Sequence, residues 1–245
     1  MNLNKKVVLV TGAGKGIGLN LVSNLLNYGA IVYCIIRSKN DYKKIANLPN
    51  CYIVVGDIKK TSSIKKIFNL AKKNNHYINC LVNNAGLRQR VSFNNLDIKK
   101  LREIFEINFF AQFLCIKEFL KNYKSGKELG SIINIGSIVG QVGFDELAGY
   151  ASTKSALIGL TKSLAVELSL RKIRCNVVSP GFIKTSFFKN FKKNKKLYNW
   201  TIHRTPMKRW GETNEVSELI SFLVSDNSSY INGEIINVDG GWLGS

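Results

Sequence analysis

Val7-Val8-Leu9-Val10-Thr11-Gly12-Ala13-Gly14-Lys15-Gly16-Ile17-Gly18 decides how this chain is read. A strand-like apolar run, Val7–Thr11, enters a glycine-rich loop. The loop opens an amphipathic helix expected over Ile17–Tyr28, with Leu21, Val22, Leu25 and Leu26 on one face. Glycine at such a junction lets the backbone turn tightly and approach a pyrophosphate, which then rests on the positive end of the helix. A glycine-rich turn with no ligand has the same local sequence, so the context must decide between them.

Outward from this stretch the chain alternates. Strands are expected at Ile31–Ile36, Tyr52–Val55, Cys80–Asn83, Ser131–Ile135, Arg174–Val178 and Ile235–Val238. Helices are expected at Asp41–Leu48, Ile64–Asn74, Ile98–Asn122, Ala151–Leu170 and Glu215–Val224. Val- and Ile-rich strands alternating with helices imply βαβ units and a parallel sheet covered on both faces. The expected fold is therefore α/β, a Rossmann-type doubly wound parallel sheet of about seven strands with helices on both faces. One domain over 1–245 is expected, with 184–210 as an inserted lid because that stretch suits neither element type.

The chain has 245 residues, 45% hydrophobic, enough to bury a sizeable core and to exclude wholesale disorder. No apolar run approaches the ~18 residues of a membrane span, and the strand at Val7 leaves no room for a signal peptide. A cytoplasmic protein with no membrane partner is expected. Five cysteines without a C-x-x-C pattern signal neither a disulfide framework nor a metal site. The formal charge of +20 invites nucleic acid as a partner. Lys and Asn abundance throughout the chain explains much of it as a solvated surface, and no nucleic acid is expected. The local exception is 184–210, with nine basic and no acidic residues, followed by 211–245 with six acidic and no basic ones.

Cofactor choice is read at the end of the second strand. An acid there would take a ribose 2′-hydroxyl. The chain has Arg37 instead, no acid between Thr11 and Asn40, and Lys15 within the glycine loop. A guanidinium suits a 2′-phosphate, which favours NADP(H); the rival is that Arg37 is one more solvated charge.

Tyr150-Ala151-Ser152-Thr153-Lys154 places a phenol and an ammonium one helical turn apart. An adjacent ammonium is expected to lower the phenol pKa and make Tyr150 a usable proton donor. Tyr123 and Lys127 have the same spacing, so context separates the pairs. Tyr150 follows Ser137, which stands at a strand end where open α/β sheets place ligands.

With these residues in place, the sequence resembles the short-chain dehydrogenase/reductase family across essentially its whole length. The G-x-x-x-G-x-G spacing of Gly12, Gly16 and Gly18 carries the resemblance, as do Asn83-Asn84-Ala85-Gly86, Ile107-Asn108, Ser137, Tyr150, Lys154, Pro180-Gly181 and Asn237-Val238-Asp239-Gly240-Gly241. The resemblance implies a catalytic tetrad of Asn108, Ser137, Tyr150 and Lys154. It also implies cofactor contacts from Thr11, Gly12, Gly14, Lys15, Gly16, Ile17 and Gly18, and from Arg37, Asp57 and Ile58. Asn84, Ala85, Gly86, Tyr150, Lys154, Pro180, Gly181, Ile183 and Thr185 complete the cofactor set. In that scheme Asn108 holds a water that relays protons to Lys154.

The general likeness is to 3-oxoacyl-[acyl-carrier-protein] reductases, with Arg171 at a carrier-docking position and Glu128 beside Lys127 weakening the other. Arg88, Arg90, Gln141 and Ser137 are the candidate substrate residues. The competing substrate class is a sugar acid or polyol, as in a gluconate 5-dehydrogenase-like enzyme, with Arg88 or Arg90 taking a carboxylate. A non-catalytic NADP-binding regulator is the alternative of another class. The resemblance implies a homotetramer or homodimer and a small-molecule or carrier-bound carbonyl substrate.

Overall fold

The structure, a computed structural model, describes residues 1–43, 45–124 and 128–245, the side chains of 187, 189 and 190 excepted. Seven strands form one sheet: β1 (Val7–Thr11), β2 (Ile31–Ile36), β3 (Cys51–Val55), β4 (Cys80–Asn83), β5 (Gly130–Ile135), β6 (Ile173–Pro180) and β7 (Ile235–Val238). Their spatial order is β3-β2-β1-β4-β5-β6-β7, and every neighbouring pair is parallel.

Alternation along each strand sends side chains to two cores. Val8, Val10, Val32 and Cys34 face α1 (Gly16–Asn27) and α9 (Thr213–Val224), whose Leu21, Leu25, Val216 and Ile220 complete one core. Leu9, Tyr33, Leu81 and Ile132 face the other side. There α3 (Thr61–Lys73), α5 (Ala111–Asn122) and α6 (Ala148–Glu167) supply Ile64, Phe68, Cys115, Phe119 and Ala165. Burying both faces is what the unbroken Val/Ile runs require. The order reverses between β1 and β4, where both neighbours of β1 lead away from it. That switch point opens a crevice at the strands' carboxyl ends.

Four local expectations change. Ser38 Oγ accepts from the Asn40 amide at 3.1 Å and starts a short helix, α2 (Lys39–Tyr42), after which the chain continues in turns rather than as a helix to Leu48. The long helix over Ile98–Asn122 is α4 (Ile98–Phe105) and α5, joined by a π-helical turn at Glu106–Phe110 that contains Asn108. Helix α6 starts at Ala148, ahead of Tyr150, and a 3-10 turn at Ser169–Arg171 follows its end. The 184–210 stretch contains two helices, α7 (Ser186–Phe191) and α8 (Lys195–Arg204). Among the described residues no helix is long and apolar enough to cross a membrane.

Candidate active site

The glycine loop leaves β1 beside the tip of β4. Gly12 has φ +66°, and a Cβ there would lie 2.8 Å from Ala85 Cα, so only glycine lets the two strand ends approach this closely. Asn84 fastens the loop from the other side. Its Nδ2 donates to the carbonyls of Thr11 and Gly12, both at 3.0 Å. The amides of Asn84 and Ala85 each donate to Thr11 Oγ1 at 3.0 Å. Gln112, buried on α5, donates to the Ala85 carbonyl at 3.0 Å, a support that no local motif announced. Helix α1 starts without a side-chain cap and without an acid in its first turn. Its free amides and positive end therefore fit an anion, as a dinucleotide's pyrophosphate requires.

A cavity of about 440 Å³ runs from this loop to the ends of β5 and β6. Lys15, Ile17, Asn84 and Gly86 line one end; Ser137, Tyr150 and Lys154 line the middle; Pro180, Gly181, Ile183 and Thr185 line the far wall. Sequence-distant candidates thus meet in one crevice. Thr11, Gly12, Gly14, Gly16 and Gly18 shape the loop behind it without lining it.

The Val139 amide donates to Ser137 Oγ at 3.2 Å, leaving the hydroxyl proton for another acceptor. Burial raises the Tyr150 phenol pKa, while hydrogen bonding to Ser137 and the Arg88 cation lower it. Lys154 is 4% exposed, and burial lowers its pKa to about 8. Its Nζ donates to the Ile135 carbonyl at 2.6 Å and stands 5.7 Å from the Tyr150 ring centroid. The Arg88 cation, distant in sequence, thus acts on the phenol as well, while β5 holds the Lys154 ammonium near the Tyr150 ring.

Asn108 is fully buried. Its Oδ1 accepts from the Leu87 amide at 2.7 Å, and its Nδ2 donates to the Leu87 carbonyl at 2.9 Å and to Thr153 Oγ1 at 3.1 Å. Thr153 in turn donates to the Tyr150 carbonyl at 2.7 Å. The π turn thereby ties the loop after β4 to the helix that carries Tyr150. π-Helical turns of this kind concentrate at functional sites.

A second cavity, about 870 Å³, adjoins the first under Phe144, Phe182 and Trp200. Arg88 and Arg90 line it, and Arg90 Nε donates to Glu146 Oε2 at 2.6 Å. Gln141 lines neither cavity; its Nε2 donates to Asn237 Oδ1 on β7 at 2.7 Å.

The adenosine-side candidates lie elsewhere on the same edge. Asp57 accepts from the Lys59 amide at 2.9 Å, Ile58 is in the core, and Arg37 is exposed at the end of β2. Asp41, the first acid after β2, packs on the glycine loop so closely that a side chain at Gly14 would collide with it. Arg171 donates to the Leu120 carbonyl at 3.0 Å. It precedes β6, as Glu128 precedes β5, so both stand at the sheet edge opposite the crevice rather than at its mouth within this chain. Lys127 falls outside the described residues.

In the 184–210 stretch an aromatic cluster gathers on Trp210. Trp210 is 1% exposed; its ring centroid lies 5.2, 5.0 and 4.9 Å from those of Phe182, Phe188 and Phe191, and its Nε1 donates to Thr201 Oγ1 at 2.7 Å. Among the described side chains, Lys184 pairs with Glu212 at 2.5 Å and Arg209 with Glu215 at 2.7 Å in the acidic C-terminal stretch.

A family model described as "Enoyl-(Acyl carrier protein) reductase" matches residues 12–243. The "3-oxoacyl-[acyl-carrier-protein] reductase FabG" of Buchnera aphidicola subsp. Acyrthosiphon pisum is 33% identical over 243 residues, 98% of each chain. Among solved structures, a protein from Agrobacterium tumefaciens described provisionally as a gluconate dehydrogenase superposes with a TM-score of 0.92 at 28% identity, covering 100% of this chain and 98% of its own. A 4-hydroxyisoleucine dehydrogenase complexed with NADH gives 0.91 at 28% identity, covering 98% and 99%.

Proposed function

The chain belongs to the short-chain dehydrogenase/reductase family, and on that premise we propose that it interconverts a carbonyl and a secondary alcohol with NADP(H). The observation that carries this reading is the meeting of Ser137, Tyr150 and Lys154 with the glycine-loop residues Lys15 and Ile17 around one cavity. A bound nicotinamide supplies or accepts the hydride.

The chain's own groups do the rest. Ser137 donates its hydroxyl proton to the carbonyl oxygen and stabilises the charge that develops there. Tyr150 transfers its phenolic proton to the same oxygen, and in the reverse direction takes it back. Lys154, buried beneath Gly86 and Tyr150, offers its ammonium to the nicotinamide ribose. Asn108 is a positioning residue, holding Leu87 and Thr153 and hence the two walls of the crevice. Lys15 and Arg37 supply positive charge for a 2′-phosphate. The 184–210 segment acts as the lid of one domain spanning 1–245, its aromatic side chains roofing the larger cavity.

The substrate we favour is a 3-oxoacyl group on acyl carrier protein, by likeness to the FabG relatives. A second reading, a sugar acid or polyol, is supported by Arg88 and Arg90 in the cavity wall and by the Agrobacterium neighbour. Exposed Phe110, Phe113 and Val166, on the π turn, α5 and α6, support a homotetramer or homodimer built on those helices.

The test is an NADPH-oxidation screen over acetoacetyl thioesters, keto sugar acids and simple ketones, with NADH as control. Turnover of a carbonyl by the wild type and its loss in Tyr150→Phe are expected. Equal activity in Tyr150→Phe would sink the mechanism, and a strong NADH preference would overturn the NADP assignment.

A further inference from the structure

The five cysteines are not alike. Cys34, Cys80, Cys115 and Cys175 are buried, while Cys51, the first residue of the edge strand β3, is half-buried. Strand register sets Cys51 opposite Val32 and Cys34 opposite Ile53, so the two thiols are diagonal neighbours on one face of the β2–β3 pair. Their sulfurs lie 3.9 Å apart and share a hydrogen bond. With Cys34 as the donor, that bond lowers the Cys51 pKa against the upward push of burial; the same contact and burial raise Cys34. Burial pushes Cys80 up to about 11, and Cys115 and Cys175 to about 12. Thiolate character and access together select the sulfur that oxidises, and of the five only Cys51 combines them.

We propose that Cys51 and Cys34 form a peroxide-reactive pair, in which Cys51 is oxidised first and Cys34 converts it to a reversible disulfide within the chain. The Cys51 thiolate attacks a hydroperoxide. A sulfur–oxygen bond forms, the oxygen–oxygen bond breaks, and the departing oxygen takes up a proton. The Cys34 sulfur then attacks the Cys51 sulfur. The sulfur–sulfur bond forms and the sulfur–oxygen bond breaks, the hydroxide leaving with the Cys34 proton as water. In sum two thiols are oxidised and one hydroperoxide is reduced, giving a disulfide, a water and an alcohol (a second water from hydrogen peroxide).

The sulfurs must close from 3.9 Å to a bond of about 2.05 Å. Diagonal partners across a ladder stand further apart than a relaxed bridge spans. The movement falls on the start of β3, a strand paired on one side only and entered through Asn50 at φ +58°. A bridge made by pulling on the backbone is readily reduced, which suits a reversible modification and not a structural staple. It forms at the sheet edge whose strands lead on to Arg37 and Asp57.

The test treats the wild-type chain with graded hydrogen peroxide, weighs it intact without reductant, and maps its tryptic peptides by mass spectrometry. At the lowest effective dose the chain should lose two hydrogens and gain no oxygen, with the link joining the peptides that hold Cys34 and Cys51. Dithiothreitol should restore the starting mass. Cys34→Ser should stop with one added oxygen on Cys51, captured by dimedone. Cys51→Ser should need about tenfold more peroxide before any cysteine reacts. The proposal is overturned if wild-type Cys51 gathers oxygen without the loss of hydrogens, or if the link joins other cysteines or two chains. It is equally overturned if dimedone captures a buried cysteine before Cys51, or if the mass stays unchanged at doses that oxidise free cysteine. Should either serine variant fold poorly, the wild-type peptide map remains decisive.

Discussion

Lys154 Nζ donates to the Ile135 carbonyl at 2.6 Å, which ties the ammonium to the end of β5, 5.7 Å from the Tyr150 ring centroid. The group is buried, and its pKa is lowered from 10.5 to about 8. Below pH 8 both folded and unfolded chains carry this proton, so the cost of the buried charge is fully present. Between pH 8 and 10.5 the unfolded chain holds more protons, and this group's contribution to stability rises with pH. Lys154→Met removes a cost of up to about 3 kcal/mol at pH 7. It also orphans the Ile135 carbonyl, worth about 1 kcal/mol. The cofactor-free variant should therefore melt above wild type at pH 7, with the gap closing toward pH 10.5. Carbonyl reduction should fall by about a hundredfold or more. A variant less stable at pH 7, with no change in the gap across pH, would contradict this account of Lys154.

Arg88 gives the phenol a separate handle. Burial holds the Tyr150 pKa up, and Ser137 and Arg88 pull it down. Alcohol oxidation requires phenolate, so its rate climbs with pH through that pKa. Removing the cation in Arg88→Leu moves the climb to higher pH, and Ser137→Ala moves it the same way. The pH profile of kcat/KM for a neutral alcohol reads this directly; profiles that superpose on wild type would show that neither residue acts on the phenol.

The features legible in the sequence were those that short-range spacing can encode. The glycine loop, the five-residue Tyr150–Lys154 spacing and the strand-end Ser137 are local patterns, and the alternating apolar runs implied the sheet that brings them together. Directions of side chains were not legible. Whether Lys154 reaches the β5 carbonyl depends on how α6 packs against the sheet, which no local spacing encodes. Asp41 falls after the position where a ribose-binding acid is sought, yet the turn at α2 folds it back onto Gly14. Asn108 stood in an unbroken helical pattern, and nothing local in Glu106–Phe110 announces a π turn.

That π turn makes Asn108 a structural tie with catalytic consequences. Asn108→Ala removes three hydrogen bonds and leaves the Leu87 amide and carbonyl without partners. Two buried backbone groups left unmade cost about 2–4 kcal/mol. Thermal melts should show that loss, and kcat and KM should both worsen because Leu87 and Tyr150 line the crevice. A variant with wild-type melting but reduced kcat would instead point to a direct role in proton relay.

Charge around the adenosine end should set cofactor preference. If the proposed NADP(H) is the cofactor, Lys15 and Arg37 should attract its 2′-phosphate and the Asp41 carboxylate beside Gly14 should repel it. Arg37→Ala should lower kcat/KM for NADPH by about tenfold, the loss of one charge-assisted pair, with a much smaller effect on NADH. Asp41→Asn should shift the NADPH-to-NADH ratio the opposite way. Equal losses with both cofactors in Arg37→Ala would mean that the arginine never reaches the ribose.

The last prediction concerns the join between the basic 184–210 stretch and the acidic tail. Arg209 donates to both oxygens of Glu215 at 2.8 and 2.7 Å, and the Glu212 amide donates to Glu215 Oε2 at 2.7 Å, closing a capping box at the start of α9. The Arg209 hydrogen bonds, with the Glu212 amide, hold the carboxyl at a pKa of about 2, against a usual 4.5. The unfolded chain binds the proton first on acidification. The stability from this group is therefore complete above pH 4.5 and disappears as pH falls toward 2. Because the pair is solvent-exposed, water screens it, and Glu215→Gln should cost only about 1 kcal/mol at pH 7. For a chain of this size that lowers Tm by about 2–4 °C. The difference from wild type should shrink between pH 4.5 and 2, as should the salt sensitivity of wild-type melting. A Tm gap that stays constant down to pH 2 would place the stabilisation in the uncharged cap rather than in the Arg209–Glu215 pair.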